Sequence, residues 1–65
     1  MEAERYIHKV INSCRLALEK LEQGDKKLAL GDLDFGHEFI IASKYLLLAE
    51  IEEEEENDTK IEESN

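Results

Sequence analysis

Along the first third of the chain, apolar residues return at helical intervals. Ala3, Ile7, Val10, Cys14, Ala17 and Leu21 follow one another in steps of four and three, and Tyr6, Ile11 and Leu18 widen the line. Such steps keep side chains on one face of an α-helix, so the pattern predicts an amphipathic helix over about residues 2–23. Glu2, Arg5, Lys9, Asn12, Arg15, Glu19 and Lys20 take most of the remaining surface. The line breaks at Gly24-Asp25. Glycine suits the left-handed position that ends a helix, and aspartate caps the next one by accepting a bond from its free amides. So tight a connection makes the two helices antiparallel neighbours.

The second predicted helix, over about residues 26–52, is apolar on more than one side. At 100° per residue, Leu28, Phe35, Phe39, Ala42, Leu46 and Ala49 form one stripe. Ala29, Leu33, Ile40, Leu47 and Ile51 form a second, widened by Leu30, Ile41 and Leu48. Asp32, Ser43 and Glu50 divide the stripes on one side; Asp34, Glu38 and Tyr45 divide them on the other. A helix with two apolar faces needs cover on both, and the first helix supplies only one. The expected fold is therefore all-α, an antiparallel two-helix hairpin that completes its core against a partner or another copy. Leu28, Phe35, Phe39 and Leu46 define one expected contact, and Leu33, Ile40 and Leu47 the other.

Charge divides the chain in two. Of 17 acidic and 8 basic residues, positions 1–51 hold nine acids and seven bases, while positions 52–65 hold eight acids and only Lys60. The net charge of -9 argues against direct nucleic-acid binding through a basic face. It fits a basic protein partner instead. The run Glu52, Glu53, Glu54, Glu55 and Glu56 places like charges at i, i+4 and at a helix C-terminus, both unfavourable. Asn57, Asp58 and Thr59 add side chains that compete for backbone hydrogen bonds, and only Ile61 offers an anchor beyond them. The helix is accordingly expected to stop near Glu52, leaving residues 52–65 as an acidic, disordered tail. Its role is either solvation or competition with nucleic acid for a basic channel on the partner.

No residue set completes a reaction centre. Asp34, His37 and Glu38 share a helical face, but His8 lies far away, so no metal is expected. Cys14, the single cysteine, cannot form a disulfide within the chain. It falls on the apolar line, where cysteine acts as a small buried hydrophobe rather than a nucleophile. Gly31 and Gly36 each cost a helix about 1 kcal/mol, which points to close packing against another backbone. Tyr6 and Tyr45 are expected in the core or an interface. No cofactor and no catalysis are expected. With no signal-like or membrane-length apolar run, the chain is expected to be cytoplasmic.

The stretch from Ala17 to Leu48 resembles an archaeal family of helical hairpins of unknown function, domain-of-unknown-function family 357. Gly24-Asp25 matches that family's turn, and Leu33-Asp34-Phe35-Gly36-His37 matches its aromatic–small–histidine element. The chain departs from the family at Glu38-Phe39-Ile40-Ile41, where a small and an acidic residue usually follow the histidine. The resemblance implies a fold rather than an activity. In overall plan, a small helical body with the acids from Glu52 to Glu63, the chain is also similar to the accessory subunits of archaeal family-B DNA polymerases. That likeness implies a replication-related protein partner. The functional expectation is a non-catalytic accessory subunit that docks by its hairpin on a larger protein, its tail modulating that partner's hold on nucleic acid. The alternative is a homo-oligomeric helical bundle with a solubilising tail.

Overall fold

The structure, a computed structural model, describes the backbone of residues 1–64 and the side chains of residues 1–56. Two helices, α1 (Glu2–Glu22) and α2 (Lys26–Ser64), pack side by side as an antiparallel hairpin, with no strand among the described residues.

The turn forms as its residues dictate. Gly24 adopts φ +79°, the left-handed conformation that only glycine reaches without strain. In that geometry the Gly24 amide donates to the Leu21 carbonyl at 3.0 Å and the Asp25 amide to the Lys20 carbonyl at 2.8 Å. Two carbonyls left over at the end of α1 are thereby satisfied. Asp25 then opens α2: its Oδ1 accepts from the Leu28 amide at 3.0 Å, and its carbonyl accepts from the Ala29 amide at 3.1 Å.

The seam between the helices is built from small residues. On α1, Ala3, Ser13 and Ala17 are buried, with Tyr6, Val10 and Lys20 half-buried between and beside them. On α2, Ala29, Gly36 and Ser43 are buried, flanked by half-buried Asp32, Phe39, Leu46 and Glu50. Both sets run in strict steps of three and four, the signature of a two-helix coiled coil. Ala29, Gly36 and Ser43 recur every seventh residue, so one whole column of α2 presents almost no side chain to its neighbour. A Cβ placed on Gly36 would lie 3.3 Å from Ser13 Cβ, which shows how closely the backbones approach. The Ser43 hydroxyl donates to the Phe39 carbonyl at 2.8 Å, so this buried polar group is satisfied within its own helix.

This seam is not the one the hydrophobic pattern predicts. Ile7 and Leu21, expected inside, are exposed, and so is Cys14. Asp32, Ser43 and Glu50, expected to divide two stripes, instead lie in the seam, Ser43 and Glu50 in the small-residue column and Asp32 in the line of Phe39 and Leu46. The reason is distance. A column of Ala, Gly and Ser lets two helices close to backbone contact, where many more atom pairs lie near their attractive optimum. Leu or Ile in that column would hold the helices apart. Gly36 therefore has the close approach expected of it, whereas a Cβ placed on Gly31 would meet nothing within 4 Å beyond its own helix.

The end of α2 also differs from expectation. The helix continues through Glu52–Glu56 instead of stopping near Glu52. Glutamate is a strong helix former, and neither glycine nor proline interrupts the run. Repulsion between i, i+4 glutamates costs only about 0.2–0.5 kcal/mol a pair, too little to break a formed ladder of backbone bonds. The competing side-chain bonds expected of Asn57, Asp58 and Thr59, and the anchor at Ile61, lie outside the described side chains. Counting from Ser13 opposite Gly36, Glu2 lies level with Leu47, so α2 continues beyond the start of α1.

Candidate interaction surface

Small residues inside mean large residues outside. Among the described residues fifteen large hydrophobic side chains are exposed, and no large side chain is fully buried. Their placement comes from the seam. Ile7, Cys14 and Leu21 each come directly after a seam residue of α1; Leu33, Ile40 and Leu47 do the same on α2. In an antiparallel pair these two columns flank the same side of the seam. Ile11 and Leu18 extend that side outward on α1, and Leu30 and Ile51 extend it on α2. All are exposed, Leu18 by 63% and Leu30 by 61%. One broad side of the hairpin is thus a continuous aliphatic face, interrupted only by Glu4, His37 and Lys44.

Nine Ile and Leu residues at roughly half exposure form that face. Together they offer on the order of 800 Å², about what one partner contributes to a stable protein–protein interface. Monomeric proteins rarely leave so large an apolar patch open.

The expected interface residues divide among three places. Leu33, Ile40 and Leu47 lie together on the aliphatic face. Phe39 and Leu46 are half-buried in the seam, so they serve the hairpin itself. Leu28 and Phe35 lie on the opposite flank, exposed by 54% and 65%. Ile7, Ile11, Leu18 and Leu21 belong to the face although hydrophobic periodicity placed them on or beside the inner line of α1. The seven-residue recurrence of small residues is the signal that separates the two roles.

The opposite flank mixes polar, aromatic and aliphatic residues. Tyr6 meets Phe39 with ring centroids 6.1 Å apart, and Lys9 Nζ lies 5.3 Å from the Tyr6 centroid and 5.4 Å from that of Phe39. A cation held over two rings closes the open end of the hairpin. Tyr6 thus has the packed position expected of it, whereas Tyr45 is 70% exposed. Tyr45 joins Ile41, Leu47, Leu48 and Ile51 along a shallow apolar groove on the outer side of α2.

Ionic contacts are sparse. Lys20 Nζ approaches Asp32 Oδ2 at 3.7 Å across the seam near the turn, both side chains being about a quarter exposed. That separation is too long for a hydrogen bond, and Oδ2 has no hydrogen-bond partner. The pair is an electrostatic contact only. Arg5–Glu2 and Arg15–Glu19 are exposed pairs along α1 at 3.1 and 2.8 Å. Asp34, His37 and Glu38 are all exposed, and no group of three metal-ligating side chains occurs among the described residues. No helix among them is long and apolar enough to cross a membrane.

In comparisons with known proteins, no family model, no curated protein and no solved structure matches the chain.

Proposed function

We propose that the chain is a non-catalytic protein-interaction module whose hairpin carries a docking face rather than a reaction site. The observation that supports this most strongly is the inversion of its packing: Ala29, Gly36 and Ser43 inside, Ile7, Leu33 and Ile40 outside. A two-helix unit of this kind buries little apolar surface by itself, and small domains without disulfides or metals depend on association for stability. The Glu52–Glu56 run continues α2 past the hairpin body. It keeps an association-prone apolar protein soluble and steers it toward basic surfaces.

The test is to place charge on the aliphatic face. In Leu33→Asp/Ile40→Asp both positions are exposed in the hairpin, so the charges should remove association in sedimentation velocity and lower the melting temperature only by the stability that association supplies. A doubly substituted protein that still associates like the parent would show that this face is not the docking surface.

A further inference from the structure

We propose that the occupant of the aliphatic face is a second copy of this chain, docked antiparallel about a dyad at Ile40 to complete a four-helix bundle. The inference rests on the interaction-module reading and names its partner.

The argument lies in one column of α2. Lys26, Leu33, Ile40, Leu47 and Glu54 stand seven residues apart, and all five are exposed. In a coiled-coil geometry, residues seven apart occupy one line along the helix. Reversed, this line complements itself. Ile40 meets Ile40 of the second copy at the dyad, and Leu33 meets Leu47 of the second copy. Lys26 meets Glu54 of the second copy. A parallel pairing would instead set lysine against lysine and glutamate against glutamate. In the neighbouring column, reversal about nearly the same point sets Leu30 against Ile51 of the second copy and the polar His37 against Lys44 between them.

The ends of α2 favour the same arrangement. Lys26 and Lys27 lie in the first turn of α2, and the run Glu52–Glu56 lies toward its other end. Neither lysine forms an ion pair among the described residues. Antiparallel docking sets these opposite charges against each other. About this dyad Leu30, Leu33, Ile40, Leu47 and Ile51 of α2, with Ile7 and Ile11 of α1, lie within the contact and supply most of the area per partner that a stable dimer needs.

The experiment uses the full chain. Light scattering should give twice the 7.5 kDa of one chain. A spin label at Glu52→Cys, in a Cys14→Ser background, lies twelve residues from the dyad. At 1.5 Å per residue the two labels should stand about 36 Å apart along the bundle. Lys26→Glu should weaken the dimer about tenfold to a hundredfold at low salt, and Lys26→Glu/Glu54→Lys should restore it. A dimer with labels within one bundle width overturns the orientation, and indifference to Lys26→Glu overturns the register. A monomer that binds a hydrophobic dye through this face overturns the second copy but leaves the interaction-module reading standing. A folded monomer that binds no dye overturns both.

Discussion

Two glycines in one helix allow the close seam to be measured. Gly31→Ala and Gly36→Ala make the same chemical change five residues apart in α2, with the same gain in helix propensity of about 1 kcal/mol. At Gly31 a new methyl group meets nothing within 4 Å, so the full gain should appear. For a chain of this size that raises the melting temperature by about 4–8 °C. At Gly36 the methyl carbon would lie 3.3 Å from Ser13 Cβ, inside the optimum of about 3.5–4.0 Å for two carbons. Overpacking of that kind costs about 1–3 kcal/mol, so Gly36→Ala should fall between neutral and about 2 kcal/mol destabilising. Urea unfolding at fixed protein concentration, monitored by circular dichroism, reads the difference between the two variants. Removing the opposing carbon with Ser13→Gly should abolish the penalty of Gly36→Ala, a coupling that a double-mutant cycle isolates. Equal stabilisation by both alanines would refute the seam, because nothing would then be closed at Gly36.

Other substitutions probe the remaining features. Phe39→Asp places a charge in the half-buried seam beside Tyr6 and should cost several kcal/mol and unfold the hairpin at any protein concentration, whereas Ile40→Asp should remove association and with it the concentration dependence of melting; circular dichroism with sedimentation separates the two. Asp25→Ala removes the cap on the Leu28 amide and should cost about 1 kcal/mol in the same urea assay. Asp32→Ala leaves Lys20 in the seam and should destabilise, while Lys20→Met/Asp32→Leu should be neutral or stabilising by up to about 4 kcal/mol, since an apolar pair fills the same space without desolvating charge. Protein purified without chelator should contain no stoichiometric zinc or iron, and His37→Ala should leave its metal content unchanged.

Much of this architecture is legible in the residues. Gly24-Asp25 specifies the turn because only glycine suits the left-handed position and aspartate caps the helix beyond it. The two amphipathic runs specify helices, and their apolar excess leaves large side chains exposed on the hairpin. The choice of seam is harder to read. Hydrophobicity ranks Leu and Ile above Ala, Gly and Ser, so it favours Ile7, Cys14 and Leu21 as the inner line of α1. Contact energy depends also on how near two backbones can come, and the small residues at 29, 36 and 43 decide that. One residue of rotation then exchanges inside for outside. The pattern places Leu33, Ile40 and Leu47 on an outward face, while Ile7, Ile11, Leu18 and Leu21 join that face only once the small-residue seam is known. At the end of α2 the intrinsic helix preference of glutamate outweighs the repulsion between like charges, so the run Glu52–Glu56 stays helical.

Thermal unfolding by circular dichroism, repeated over a hundredfold range of protein concentration, tests most directly whether this hairpin completes its core by association. Association stabilises the folded state by mass action, so the melting temperature should rise steadily with concentration. A cooperative transition at one temperature throughout the range would contradict the account, because the small-residue seam alone would then hold the protein together.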